Sequence, residues 1–172
     1  EDSRSILEAY GFSFPKNSFA QTSTDAVEAY RKMGVPQVVM KIVSPQILHK
    51  TDVGGVRLGL SSEEDVAKAF VEITASVRRL APDAWIAGVS IQEMIIGGQE
   101  LILGLTRDPQ FGPLLMSGLG GIYVEVLKDV AFRVAPISKR DAREMIRAIR
   151  AYPLRAGYRG TDPVDEDAVV DA

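Results

Sequence analysis

Apolar positions along the chain recur first at helical and then at strand spacing. From Asp2 to Tyr10, Ile6, Leu7 and Tyr10 fall on one helical face, and Gly11 offers a stop. Thr22-Ser23-Thr24-Asp25 supplies caps for a second helix that carries Val27, Tyr30 and Met33 and closes at Gly34. Gln37 to Val43 is an apolar, β-branched run and predicts a buried strand, broken only by Lys41. Beyond a glycine loop, Val56 to Leu60 predicts a strand pairing back on it. Ser61-Ser62-Glu63-Glu64 has the capping-box pattern and opens a helix with Val66, Phe70, Ile73, Val77 and Leu80 on one face. Trp85 to Ile95 predicts the strand that finishes this lobe.

Gly97-Gly98 punctuates the chain and marks the expected boundary between two lobes, 1–97 and 98–172. Glu100 to Thr106 and Leu114 to Ser117 predict strands, with turns at Asp108-Pro109 and Gly112-Pro113. Gly118-Leu-Gly-Gly121 breaks the chain again. Val124 to Val134 then alternates as one long strand. Ser138-Lys-Arg-Asp141 caps a helix through Met145, Ile146 and Ile149. Asp162-Pro163-Val-Asp165-Glu-Asp167 opens a further helix with few residues left before Ala172. So short a helix is not expected to be stable, and the pattern reads as that of a fragment or an excised domain. The succession of strands and helices gives an α/β class.

Composition narrows the function. The 172 residues are 46% hydrophobic and 25% charged, ordinary for a globular protein. A net charge of −3 argues against nucleic acid as a partner. The absence of cysteine removes disulfides and thiolate metal sites. No apolar run approaches the ~20 residues that span a bilayer, and EDSRSILEAYGF lacks a secretory pattern. A soluble, cytoplasmic protein that meets no membrane is expected.

Some positions carry candidate chemistry. Lys41, in the middle of an apolar strand, either snorkels to solvent or is held for an anion. The Gly54-Gly55 pair lets backbone come close to a ligand, and with His49-Lys50 at the tip the loop makes a reasonable phosphate cradle, although not a Walker pattern. A plain hairpin with glycine in its turn explains the loop equally well, and a lone histidine such as His49 is more often a surface residue than a reactive one. Glu93 and Glu100 could accept bonds from ribose hydroxyls or an adenine amine, yet solvated strand ends account better for their spacing. Glu125, Asp129 and Arg133 share one face of the long strand. Either an exposed strand or the floor of a cleft for nucleotide or metal shows that pattern.

Together these motifs are more specific than any one alone. VVMKIVSPQILHKTDVGGVRLGL, followed by GQELILGLTRDPQFGPLLMSGLGGIYVEVLKDVAFRVAPI, closely resembles the ATP-grasp domain of the NDP-forming acyl-CoA synthetases. These are the ADP-forming acetyl-CoA synthetases, in which the domain is the β subunit or the C-terminal part of a fused chain. More distantly, the chain is similar to the β subunit of succinyl-CoA synthetase. The resemblance runs from YGFSFP to the Gly157-Tyr-Arg159-Gly160 region.

The resemblance implies a two-lobed ATP-grasp fold, truncated at the C-terminus, with the phosphate loop in lobe 1–97 and an incomplete lobe 98–172. It implies the reaction acyl-CoA + ADP + phosphate ⇌ carboxylate + CoA + ATP. The phosphoryl group leaves an acyl phosphate for a histidine on a CoA-binding partner subunit or domain, then travels to nucleotide on the ATP-grasp part. Lys41 matches the lysine on the nucleotide phosphates, and His49 matches a second phosphoryl carrier. Glu93 and Glu100 match acids that hold the adenosine. Lys50 and the Gly54-Gly55 amides would help neutralise the phosphates in the transition state. ATP or ADP and Mg²⁺ are the implied cofactors. The family's Mg²⁺ ligands sit on a Glu-x-Asn-Pro strand that this sequence lacks, so the domain is expected to be inactive alone. A non-catalytic alternative stands beside this reading: similar modules regulate protein-lysine acetyltransferases. The retained Lys41 and His49 argue against it. An ATP-grasp carboxylate–amine ligase, which uses no histidine carrier, is least expected.

Overall fold

The computed structural model describes residues 2–121, 128–157 and 163–172. The chain divides into two compact units, Glu1–Ile96 and Gly97–Ala172. Both mix helix and strand, as the α/β expectation requires. Among the described residues no helix is long and apolar enough to cross a membrane.

The first unit runs α1 (Asp2–Ala9), β1 (Asn17–Ala20), α2 (Ser23–Met33), β2 (Val38–Val43), β3 (Val56–Leu60), α3 (Glu63–Leu80) and β4 (Gly88–Glu93). Its strands form one antiparallel sheet in the order β1-β4-β2-β3. Thr22 begins α2 with a reciprocal capping box to Asp25. The cap of α3 closes one residue later than its sequence suggests. Ser62, not Ser61, accepts the N–H of Asp65, and the Asp65 carboxylate reaches back to the Ser61 N–H. Val66, Ala69, Ile73 and Val77 of α3 are buried, while Leu80 is exposed. In α2 the buried stripe is Ala26, Ala29 and Met33, with Val27 and Tyr30 only partly covered. Both helices pack on the sheet face of Val38, Met40, Ile42, Val89 and Ile91. Burying each large side chain of this face contributes about 1.5–3 kcal/mol. β4 begins at Gly88 rather than at Trp85, whose side chain is exposed and whose N–H donates to Gln46 Oε1 at 2.9 Å.

The second unit holds β5 (Leu101–Asp108), β6 (Gly112–Leu119), β7 (Val130–Val134), α4 (Lys139–Arg147), α5 (Tyr152–Arg155) and α6 (Glu166–Asp171). The strands pair antiparallel in the order β5-β6-β7. Asp108 shapes the β5–β6 turn by accepting the N–H groups of Gln110 and Phe111 at 2.8 and 2.9 Å. Those two bonds hold its carboxyl below the usual carboxylate range. Leu119, Ile149 and Ala151 are buried together, with Leu101, Ala131 and Tyr152 packed around them.

Two expectations change here. β7 starts only at Val130. Lys128 takes a left-handed turn at φ 48°, and Asp129 leaves the strand line to accept the N–H groups of Arg150 and Ala151 at 3.0 and 2.7 Å. Asp129 therefore does not align with Arg133, and Glu125 lies outside the described residues. The short terminal helix, not expected to be stable, is present as α6. Asp165 caps it, and its acids face a basic row on α4: Glu166 meets Arg147, Asp167 meets Arg143, and Asp171 meets Lys139. Tyr152 adds its hydroxyl to Glu166 at 2.9 Å. Exposed pairs contribute little one at a time. Here docking replaces the propensity that six residues cannot supply.

Two outcomes follow from this packing. Ile73→Ala is expected to cost about 2–5 kcal/mol, read as a lower urea midpoint at unchanged slope. On the exposed side of α3, Val71→Ala should shift stability by less than about 0.5 kcal/mol. The second outcome concerns acid. Hydrogen bonds from Arg147 and Lys139 hold Glu166 and Asp171 below the usual carboxylate range. A folded pKa below the unfolded one gives stability that is present above the ordinary carboxylate range and lost as pH falls through the folded value. The docking of α6 should loosen in that acid window, and at neutral pH it should weaken with salt. Amide shifts of Val169 and Val170 in a pH titration report it. Shifts that hold to about pH 3 would mean that apolar contact alone keeps the helix in place.

Candidate functional site

The strand alternation that buries Val38, Met40 and Ile42 turns Lys41 to the opposite face of the first sheet. Lys41 pairs with Ser90 and Val39 with Gln92, so these polar side chains share that face with Lys41. Lys41 Nζ donates to Gln92 Oε1 at 3.0 Å. Beside it, Ser90 Oγ donates to Asn17 Oδ1 at 2.8 Å. Lys41 is half-buried and, among the described residues, makes no ion pair.

The loop after β2 is built as a closed turn. Ile47 anchors it in the core, and Leu48 and His49 emerge exposed. Asp52 N–H donates to the His49 carbonyl at 3.3 Å, Gly54 N–H to Thr51 at 3.0 Å, and Gly55 N–H to Lys50 at 2.7 Å. The Gly55 carbonyl accepts from Ile42 N–H at 2.8 Å, and Ser76 Oγ donates to the Val53 carbonyl at 3.0 Å. These bonds seat the loop on β2 and α3. Both glycines are required by this packing. Gly54 has φ +64°, and a Cβ there would stand 2.6 Å from Ser76 Oγ. A Cβ on Gly55 would meet Ile42 Cγ2 at 2.6 Å and the Lys50 carbonyl at 2.8 Å. The Gly54 and Gly55 amides donate to carbonyls within the loop. Leu48, His49, Thr51 and Asp52 stand exposed on it, and Lys50 is half-buried.

The two acids lie elsewhere. Glu93 pairs with Val38 and therefore shares the helix-covered face, opposite Lys41. Its Oε2 accepts the Lys16 N–H at 3.1 Å, and Lys16 Nζ donates to the Met33 carbonyl at the end of α2. Glu93 thus seams β1 to β4 in this structure. Glu100 belongs to the second unit, where its carbonyl accepts Gly120 N–H at 2.7 Å and its carboxylate lies against Gly121. Lys41, His49 and Lys50 are brought into one unit on and beside β2; Glu93 is not turned towards them.

Gln92 is a partner of Lys41 that sequence reading missed. It falls within the strand expected from Trp85 to Ile95, and only the β2–β4 register reveals what it touches. Among the described residues, no group of three or more His, Cys, Asp or Glu is placed to hold a metal ion. These residues do not fit Mg²⁺, and no step is assigned to it. Cavities of about 260 and 340 Å³ occur beside α5 in the second unit; Asp129 lines the larger, its carboxylate engaged by the N–H groups of Arg150 and Ala151, and Lys41, His49, Lys50, Glu93 and Glu100 line neither.

A family model of the ATP-grasp domain matches residues 1–172. The chain belongs to the ATP-grasp family. Within it, the β subunit of ADP-forming acetate–CoA ligase I from Pyrococcus furiosus is 51% identical over 99% of this chain and 73% of that subunit. ADP-forming acetate–CoA ligase I of Archaeoglobus fulgidus is 50% identical over 96% of this chain, which spans 24% of that longer protein. A dinucleotide-forming acetyl-coenzyme A synthetase 1 of Ca. Korarchaeum cryptofilum, solved with coenzyme A, Ca-AMPCP and HgCl⁺, superposes at a TM-score of 0.90 with 49% identity. That match covers 98% of this chain and 73% of the other. The fold is accordingly that of an ATP-grasp domain of the NDP-forming acyl-CoA synthetases.

The packing of this ATP-grasp loop is directly testable. Gly55→Ala is expected to cost about 1–3 kcal/mol, since the added methyl must displace Ile42 or the Lys50 carbonyl. A thermal midpoint equal to that of the parent chain would show slack in the loop.

Proposed function

We propose that this chain is the nucleotide-binding, phosphoryl-transferring domain of an ADP-forming acyl-CoA (acetyl-CoA) synthetase. It acts in the cytoplasm with a CoA-binding subunit or domain that carries the first phosphohistidine. The observation that carries the reading is His49. The only imidazole in the chain stands exposed on a closed loop, in the same unit as a lysine that makes no ion pair among the described residues, within a sequence 51% identical to a ligase β subunit.

The chemistry runs in two displacements. A nitrogen of neutral His49 attacks the phosphorus delivered by the partner, forming an N–P bond as the donor's bond to phosphorus breaks. A terminal oxygen of ADP then attacks that phosphorus, the N–P bond breaks, and ATP leaves with His49 neutral again. The N–P bond is high in energy, so both directions are feasible. Lys41 and Lys50 offset charge on the phosphates as it shifts between oxygens. Mg²⁺ would supply further positive charge to the nucleotide phosphates, on ligands other than the described residues. Glu93 and Glu100 are assigned to the adenosine by resemblance. For Glu93 this requires exchanging its bond to the Lys16 N–H or binding beyond the strand end. The relatives compared are ligases and synthetases, so the regulatory alternative gains no support.

Incubation with the CoA-binding partner, acetyl-CoA, labelled phosphate and Mg²⁺ should place acid-labile, base-stable label on this chain. His49→Ala should abolish the label while leaving the partner's own label in place. A parent chain that stays unlabelled beside a phosphorylated partner would sink the carrier role.

A further inference from the structure

Among the described residues Lys41 meets neither an opposite charge nor a helix end, unlike several other bases of the chain. Arg31, Arg57, Arg143 and Arg147 each lie against a carboxylate. Lys16 reaches the carbonyl of Met33, the last residue of α2. Lys41 instead meets the neutral amide of Gln92, its diagonal neighbour across β2 and β4. An ammonium can only donate, so it must face the amide oxygen, and the amide nitrogen is turned elsewhere. Among the described residues that nitrogen has no partner, and two of the three donors of Lys41 are unused.

From this we infer that Gln92 is the positioning residue for Lys41. It fixes the lysine's rotamer on the sheet face opposite Met40 and Ile42 without neutralising its charge, leaving two ammonium donors and the amide nitrogen unengaged among the described residues. The inference rests on the reading of Lys41 as a phosphate contact and extends it. A flexible four-carbon stem loses rotamer entropy when it clasps an anion. Gln92 removes part of that loss beforehand. A glutamate of the same shape would hold the stem as well, but it would cancel the charge and present an acceptor to phosphate oxygens. The residue is therefore specified by its neutrality as much as by its reach.

The test is ADP binding by calorimetry on the full chain, with urea midpoints recorded to show that each variant is folded. Gln92→Glu preserves the packing and should weaken ADP roughly ten- to a hundredfold, the span of a lost charge-assisted contact. Gln92→Met removes the clasp without adding charge and should weaken it roughly three- to tenfold. Lys41→Met should also weaken ADP, and Lys41→Met with Gln92→Met should bind no worse than Lys41→Met alone. If Gln92→Glu binds ADP like the parent while Lys41→Met does not, the positioning role is overturned and the nucleotide reading survives. If the effect of Gln92→Met persists in the Lys41→Met background, Gln92 does not act through the lysine. Parental affinity in Lys41→Met would overturn the phosphate assignment and this inference together.

Discussion

The register between β2 and β4 is the constraint on which the first unit depends. Lys41 opposite Ser90 and Met40 opposite Ile91 is one of two possible phases of the same alternation. A slip by a single residue would send Lys41 into the helix-covered core and Met40 and Ile42 outward. The fully buried side chains Val38, Met40, Ile42, Val89 and Ile91 make that slip prohibitive. The hydrophobic face thus fixes the polar one. The Lys41–Gln92 contact, the Ser90–Asn17 bond and the turn of Glu93 to the other side all follow from packing that contains no polar side chain of the candidate site.

The protein handles its charges in two distinct ways. On the second unit, acids of α6 and bases of α4 neutralise one another at the surface, and the gain is the placement of a helix too short to persist otherwise. On the first, Lys41 is steadied by an amide and its charge is left uncompensated. The amide oxygen replaces part of the water that the half-buried ammonium gives up, without cancelling its charge.

Legibility in the sequence followed the range of the interaction. Local signals read well: the Thr22 and Ser138 caps, the α3 stripe through Val66, Ile73 and Val77, and the apolar run of β2 are each determined within a few residues. Tertiary partners did not. The ion pairs that hold α6 join positions 19 to 32 residues apart, so propensity alone argued against that helix. Asp129 looked like a strand residue because the alternation around it is good, yet the N–H groups of Arg150 and Ala151 pull it out of line. At the site, Lys41 and His49 were visible as oddities of type and place. Gln92 was not, since a glutamine on a half-buried strand is unremarkable until its cross-strand neighbour is known. The glycines were visible, but the packing that requires them was not. Ile42 and Ser76 explain them, and neither is a neighbour in sequence.

The closed loop after β2 also bears on where movement must occur. A segment whose amides are already spent on its own carbonyls, and which is pinned at Ile47 and Ser76, has little slack to swing towards anything. Its entropy was surrendered when the chain folded, not when a ligand arrives. His49 is in that sense a fixed post. On the proposed carrier role, whatever passes a group to it has to travel the whole distance, so the reach of the delivering body, not the pliancy of this one, would set the geometry of the exchange.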